Sequence, residues 1–308
     1  MATFSIIIPV FNKELFVSNT LKSVLSQTFS DFEIIIVNDG STDGSEEIIL
    51  TMQDERIRYF YKENEGVAIA RNFGILQSKA AFVCFLDADD YWYPTFLEVM
   101  YSYILKFPEQ SVFACAIEIE TQKNTFPAQY SITKKDTFEI VNFFEASQKE
   151  SVLWTSSVAV RKAVFDKVGC FDITIKKGED TELWIRIGLE YSVVFVWQIL
   201  ARYVFDNKSI SRNSAYFFEK YTFQKHANEE KKNPLMKKFM DLNRFSAVIK
   251  CHLNGDYKTA EEIYKDISQK NLNLKKRIIL QMPPFAIKIL VNFKSFLTTI
   301  GLGNSVFR

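Results

Sequence analysis

Two kinds of segment alternate through the first hundred residues, and that alternation constrains the fold more than any other feature. Phe4 to Val10, Phe32 to Val37 and Ala81 to Leu86 are apolar runs with no polar residue at every second position, and Ile57 to Tyr61 is a shorter strand. Between them lie segments of helical character. Glu14 to Gln27 places apolar residues at Leu15, Leu21, Val24 and Leu25, while Ser45 to Met52 and Val67 to Gln77 complete the set. Strands that lack alternation are buried on both faces. Separated by helices, they predict a parallel sheet covered on both sides, with right-handed crossovers.

The pattern then loosens. Pro94 to Lys106 reads as a helix with Pro in its first turn, Val112 to Ile119 as a strand and Glu179 to Tyr191 as a helix. Val193 to Val196 and Ala201 to Phe205 read as short strands, and Thr121 to Lys135 as irregular. From residue 213 onward the chain reads as helices, broken near Asn233-Pro234 and Asn254-Gly255. The expected organisation is an α/β domain over residues 1–212, with halves of about 1–110 and 111–212. A helical region over 213–308 is appended to it.

Ligands of open α/β sheets bind outside the carboxyl ends of the strands. Pro9, Phe11, Asn12 and Glu14 follow the first strand, Asp39, Ser41 and Asp43 the second, and Asp87, Asp89 and Asp90 the fourth. Carboxylates crowded at one edge repel unless a positive charge joins them. Asp87-Ala88-Asp89 has the spacing at which extended backbone points two side chains the same way. Its hard oxygen ligands suit Mn²⁺ or Mg²⁺, which bind one or two carboxylates together with substrate phosphates. Taken alone, the Asp87–Asp90 stretch is equally a solvated loop capping the next helix. Its place after a buried strand favours function. No GxxxxGK or GxGxxG follows these strands, which disfavours P-loop hydrolases and standard dinucleotide oxidoreductases.

The chain resembles a family 2 glycosyltransferase of the GT-A fold on five stretches in order. They are Ser5 to Glu14, Val37 to Asp43, Asn64 to Asn72 (Gly-x-x-x-Ala-Arg-Asn), Phe85 to Asp90, and Gly169 to Asp172 followed by Gly178-Glu179-Asp180. That resemblance implies an α/β GT-A fold with a mostly parallel central sheet and a nucleotide-sugar donor. In it Pro9, Phe11, Asn12, Glu14, Asp39, Arg71, Asp87 and Asp89 would bind the donor, Phe11 by stacking on the base and Asp39 by hydrogen-bonding it. Asp89 and Asp87 would hold Mn²⁺ or Mg²⁺, with Asp206 as a further ligand where relatives often carry His near a Ser-x-Ser such as Ser209-Ile210-Ser211. Asp180 would be the general base of an inverting transfer, with Glu179, Trp154 and Trp184 on the acceptor side. The Gln-x-x-Arg-Trp signature of processive relatives is absent, which implies single-sugar transfer to a glycan or lipid-linked acceptor. A nucleotidyltransferase of similar fold would need a Gly-rich, Lys-containing loop after the first strand, and Pro9 to Glu14 has no Gly. A non-catalytic nucleotide-sugar-binding module would have no need of intact Asp87, Asp89 and Asp180.

Composition enters at the extremes. The 38 Lys plus Arg against 37 Asp plus Glu give +1, which disfavours a nucleic-acid binder. Four scattered Cys without a CxxC pair, and an N-terminus without a basic leader, predict reduced thiols in a cytoplasmic protein. The near-neutral total hides a polarity, because seven Lys and Arg and no acid follow Asp266. Phe285 to Leu302 is nearly apolar all round, but Lys288 and Lys294 interrupt it. Residues 278–308 are therefore expected either to lie on an anionic membrane surface or to dock on the catalytic domain.

Overall fold

The computed structural model describes residues 2–121, 124–204 and 220–299. The N-terminal half follows the predicted alternation closely: β1 (Phe4–Val10), α1 (Val17–Leu25), β2 (Phe32–Asp39), α2 (Ser45–Leu50), β3 (Ile57–Lys62), α3 (Val67–Gln77) and β4 (Phe82–Phe85). The strands pair in parallel, β3 on β2, β2 on β1 and β1 on β4. Pro9 is tolerated because the ladder between β1 and β4 ends at Ile7↔Phe85, so its missing N–H falls beyond that pairing.

The second half is mixed. β5 (Tyr91–Trp92), α4 (Phe96–Lys106), β6 (Val112–Glu120), β7 (Thr125–Pro127), β8 (Phe138–Val141), α5 (Phe143–Ala146), β9 (Val158–Arg161), α6 (Ala163–Val168), α7 (Glu179–Glu190) and β10 (Val193–Val204) follow in turn. The main sheet order is β3-β2-β1-β4-β9-β6-β10-β5. β9 runs antiparallel to both β4 and β6, so β4 and β6 point the same way. The expectation of a mostly parallel sheet therefore holds from β3 to β4, whereas antiparallel strands join the second half. The two short strands predicted near the end are one strand, β10, which pairs with β6 across two register shifts.

The strands bury alternate residues in two layers. Ile7, Ile35, Val37 and Phe85 face one core; Ile6, Ile8, Ile34, Ile36 and Cys84 face the other. The C-terminal helices are α8 (Lys220–Lys225), α9 (Ala227–Lys232), α10 (Pro234–Asn254), α11 (Tyr257–Lys265), α12 (Leu274–Gln281) and α13 (Pro284–Thr299); α8, α10, α11 and α12 add residues to the first layer, and α9 and α13 pack on α10. Phe239 of α10 packs its ring against Phe143 and Phe144 at 5.2 and 5.7 Å. Burying such a side chain contributes about 1.5–3 kcal/mol. The helical region is thus part of one core rather than an appendage with its own.

Gly74 of α3 tests this packing. A Cβ there would lie 2.3 Å from the Ile7 side chain, which is fully buried. On an open helix Gly→Ala stabilises by about 0.5–1 kcal/mol. Here Gly74→Ala is expected to destabilise by about 1–3 kcal/mol through overpacking. Urea denaturation reads the sign directly, and a stabilised variant would show that α3 is free to lift from β1.

Candidate active site

The loops after β1 and β2 are laced together by the residues that stood out in the sequence. Asn12 adopts φ 52°, and its Oδ1 accepts from the Thr42 N–H at 2.8 Å while its own N–H donates to Ser41 Oγ at 3.1 Å. The Glu14 carboxylate accepts from Gly44 N–H at 2.8 Å, and Asp43 Oδ2 accepts from Glu14 N–H at 3.1 Å. Asn12 and Glu14 therefore set the shape of this end of the sheet. Asp39 is 3 % exposed and ties down the turn that opens α3. It accepts from Lys62 Nζ at 2.6 Å, from Glu65 N–H at 3.1 Å and from Gly66 N–H at 2.9 Å. Gly40, at φ 76°, lets the backbone of Asn64 approach; a Cβ would lie 2.7 Å from Asn64 N. Phe11 is half-buried beside this edge.

Arg71 is the hub. It is 4 % exposed, and its guanidinium donates to Asp87 Oδ1 at 2.7 Å and to Glu179 Oε1 at 2.8 Å. Its face covers the Phe171 ring at 5.2 Å. Burial opposes its charge, but Asp87, Glu179 and Asp180 hold it firmly protonated. The Glu179 carboxyl is raised from its ordinary value, by burial first and then by Asp180, against the pull of Arg71. Asp89 forms an ion pair with the Lys13 ammonium. Its carboxyl is raised because burial outweighs Lys13 and Asp87 adds repulsion. Asp90, in contrast, turns inward. It accepts from Ser156 Oγ at 2.5 Å and from Val204 N–H at 3.0 Å, tying the loop after β4 to the segment before β9 and to the end of β10.

Asp180 stands in the first turn of α7, after Gly178 in the left-handed region at φ 81°. Its Oδ1 accepts from the next residue's N–H, that of Thr181, at 2.6 Å, and the side chain is half-buried. The segment before it is held from two sides. Asn72 exchanges two hydrogen bonds with the Phe171 backbone, 2.8 and 2.9 Å. From the other side Arg186 donates to the carbonyls of Val168, Gly169 and Cys170, and Lys225 pairs with Asp172 at 2.7 Å. Lys225, Arg186 and His226 also surround Glu182, which is fully buried.

Burial alone would raise the Glu182 carboxyl, but the hydrogen bonds from His226, Arg186 and Lys225 prevail and hold it at about 2. A depressed carboxyl contributes stability that is complete above its unfolded value and is lost as pH falls towards the folded one. The stability gap between wild type and Glu182→Gln is therefore expected to shrink as pH drops from about 4.5 to about 2. Thermal denaturation across that range measures it; a constant gap would mean that Glu182 is not the titrating group.

The structure brings Arg71, Asp87, Glu179, Asp180, Asp89 and Lys13 to one edge. It does not bring Trp184 there. That ring is 1 % exposed, packs near Phe171 in the core and offers no face to a sugar, which corrects its acceptor-side assignment. Trp154 is half-buried, its ring 5.1 Å from that of Tyr203. Asp206 and Ser209-Ile210-Ser211 lie outside the described residues. Lys13, Asn72, Ser156, Glu182, Arg186 and Lys225 escaped the sequence reading. Asn72 and Lys13 sat inside recognised stretches, but nothing local marks the other four. His226 is 5 % exposed and bonded to Glu182 at 3.1 Å.

Among the described residues no three His, Cys, Asp or Glu side chains form a ready-made metal cage. Asp87 and Asp89 nevertheless fit Mn²⁺ or Mg²⁺ of the kind that completes its shell with substrate phosphates and water. A buried carboxyl whose charged form is disfavoured is a group that gains from a further cation.

The acids and the buried arginine thus gather at the carboxyl edge of an α/β sheet, where ligands of such sheets bind. Residues 5–169 match the family described as Glycosyl transferase family 2, and the chain belongs to that family. It is 34% identical over 205 residues to the "Uncharacterized glycosyltransferase" of Rickettsia typhi, covering 64% of this chain and 62% of that protein. The match spans only 31% of a relative from Rickettsia felis. The "Putative teichuronic acid biosynthesis glycosyltransferase TuaG" of Bacillus subtilis is 29% identical over 219 residues, 68% of this chain and 81% of TuaG. Among solved structures, S. aureus TarS 1-349 in complex with UDP-GlcNAc superposes with a TM-score of 0.72 at 18% identity, over 96% of this chain and 92% of that one. At that identity the likeness is one of fold, and it extends to the C-terminal helices.

Proposed function

We propose that the chain is an inverting glycosyltransferase that moves one sugar from a UDP-linked donor to a hydroxyl of a glycan or lipid-linked acceptor in cell-surface polysaccharide or glycolipid synthesis. The observation that carries this is the convergence of Asp87 and Asp89 after β4 with Glu179 and Asp180 at the start of α7, joined through Arg71. The UDP-GlcNAc bound by TarS supports the choice of donor, and the name of TuaG supports the setting.

In this reading Asp87 and Asp89 would hold a divalent ion, which would supply positive charge to the leaving diphosphate, and the Lys13 ammonium beside Asp89 supplies a further cation. Asn12, Glu14 and Asp39 fix the loops that receive the base, and Phe11 and Pro9 line that end. Asp180 accepts the proton of the acceptor hydroxyl as its oxygen bonds to the anomeric carbon and the bond to the diphosphate breaks. The attack comes from the face opposite the diphosphate, so the configuration inverts. Arg71 and Glu179 hold Asp180 in position, and Trp154 stands on the acceptor side. UDP release from a panel of UDP-sugars, with Mn²⁺, Mg²⁺ or a chelator, tests the reading. Release is expected only with metal and to fall by about 10²-fold or more in Asp89→Asn. Full activity under chelation would remove the metal from the scheme.

The same reading places the enzyme in the cytoplasm, peripheral on the membrane's inner face through residues 278–308. Among the described residues no helix is long and apolar enough to cross a membrane. Ile287 of α13 is fully buried, whereas Phe285, Ile289 and Ile278 are exposed beside Lys275, Lys276, Arg277 and Lys288. That combination suits an interfacial helix on anionic lipid. Flotation with anionic vesicles is expected to recover wild type but little of Phe285→Ser/Ile289→Ser. Equal recovery of both would refute the contact.

A further inference from the structure

A second concave site lies away from the acidic edge. A cleft of about 600 Å³ opens between the β7 hairpin and the C-terminal helices, a size in the ordinary range for small-ligand sites. One wall starts at Ile119, near the carboxyl end of β6. β6 points the same way as β4 and stands two places from it in the sheet.

Its charge is opposite to that of the active site. Lys149, Lys238, Lys270 and Lys276 line it, against a single acid, Glu150. Lys149, Lys238 and Lys270 make no ion pair among the described residues. Two of the lysines come from the acid-free stretch after Asp266, so part of that basic excess faces this cleft. The start of α12 adds to it. Asn273, whose Oδ1 caps the Lys276 N–H at 2.9 Å, lines the cleft, and the first turn of α12 contains no acid. A helix N-terminus ordinarily attracts Asp or Glu. This one carries Lys275 and Lys276 instead.

We infer that this cleft is a phosphate subsite, which takes a phosphate group carried on the acceptor. Lysines and a helix N-terminus line one cleft. They suit a compact anion that accepts hydrogen bonds from several directions. The phosphate could be the phosphodiester of a soluble polymer or the diphosphate of a lipid carrier, and the chemistry of recognition is the same. The inference rests on the proposed function only in calling the ligand an acceptor.

The test is titration calorimetry at low salt, with a glycerol phosphate oligomer, a short-chain polyprenyl diphosphate and a neutral glucan oligosaccharide as probes. Wild type is expected to bind at least one phosphate probe and not the glucan, and the probe that binds identifies the source. Lys149→Gln/Lys238→Gln/Lys270→Gln removes three side chains that make no ion pair among the described residues, so its Tm should match wild type. Its affinity for the phosphate probe is expected to drop by about tenfold or more, while UDP affinity stays unchanged. Wild type binding neither phosphate probe, or a triple variant binding as tightly as wild type, would overturn the subsite. Failure to bind UDP would instead strike at the proposed function.

Discussion

Asp180→Asn is expected to lower kcat for sugar transfer by about 10²–10⁴-fold, the usual worth of a positioned general base. The amide is nearly isosteric, so Thr181 N–H keeps its acceptor and the first turn of α7 keeps its form. Affinity for UDP should not change, since Asp180 is assigned to the acceptor side. The loss should therefore appear in kcat with the UDP Kd intact, a split that calorimetry and single-turnover kinetics separate. Transfer to a real acceptor at the wild-type rate would remove Asp180 from the reaction. The closest rival, Glu179, is committed to Arg71 and only 8 % exposed, so it is the poorer base on geometry.

Arg71→Met is expected to cost about 3–5 kcal/mol of stability at neutral pH, because it leaves carboxylates buried without their cation. Asp87 and Glu179 lose their donors at 2.7 and 2.8 Å together, and the Phe171 ring loses the guanidinium over its face. The dependence on pH separates this cause from mere loss of packing. The Glu179 carboxyl is already raised in the folded state. A raised acid contributes stability that is fully present below its unfolded value and is lost as pH rises through the folded one. In the variant Glu179 rises further, so the deficit should be small near about pH 4, where the group is protonated, and grow towards neutrality. Urea melts at both pH values measure it. An equal deficit at both would assign the loss to packing.

Both variants act on residues that could be singled out before any coordinates, and the reason is local. The strand at Phe4–Val10 and the helix at Val67–Gln77 lie where the apolar spacing puts them, to the residue. β9 was not legible, because Val158–Arg161 is four residues long and too short to show a period. Yet β9 sets the antiparallel junction between the halves and carries Ser156 at its approach, which orients Asp87 N–H and Asp90. Trp184 misled for a related reason. Its place one turn beyond Asp180 fits a sugar platform equally well, and only its packing in the first core layer shows which face of α7 it occupies.

The C-terminal region shows the same divide. Its helices and the break at Gly255 were readable, since Gly255 at φ 77° ends α10 and Asp256 caps the next helix through Thr259 N–H. Its attachment was not. The Glu182 cluster joins α7 to Lys225 and His226 across more than forty positions, and neither partner has a distinctive neighbour.

The sequence by itself determined the order of strands and helices in the first half and the acids that end those strands, because period and strand-end position are properties of neighbouring residues. It also determined that basic charge gathers after Asp266. Tertiary structure alone decided that Arg71 closes on Glu179, 108 residues away, and that Lys13 sits on Asp89 across 76. It decided as well that part of the basic tail lines a cleft against the β7 hairpin. Charge partners are chosen by distance in space and by the cost of burying an ion unpaired, and neither can be seen along the chain.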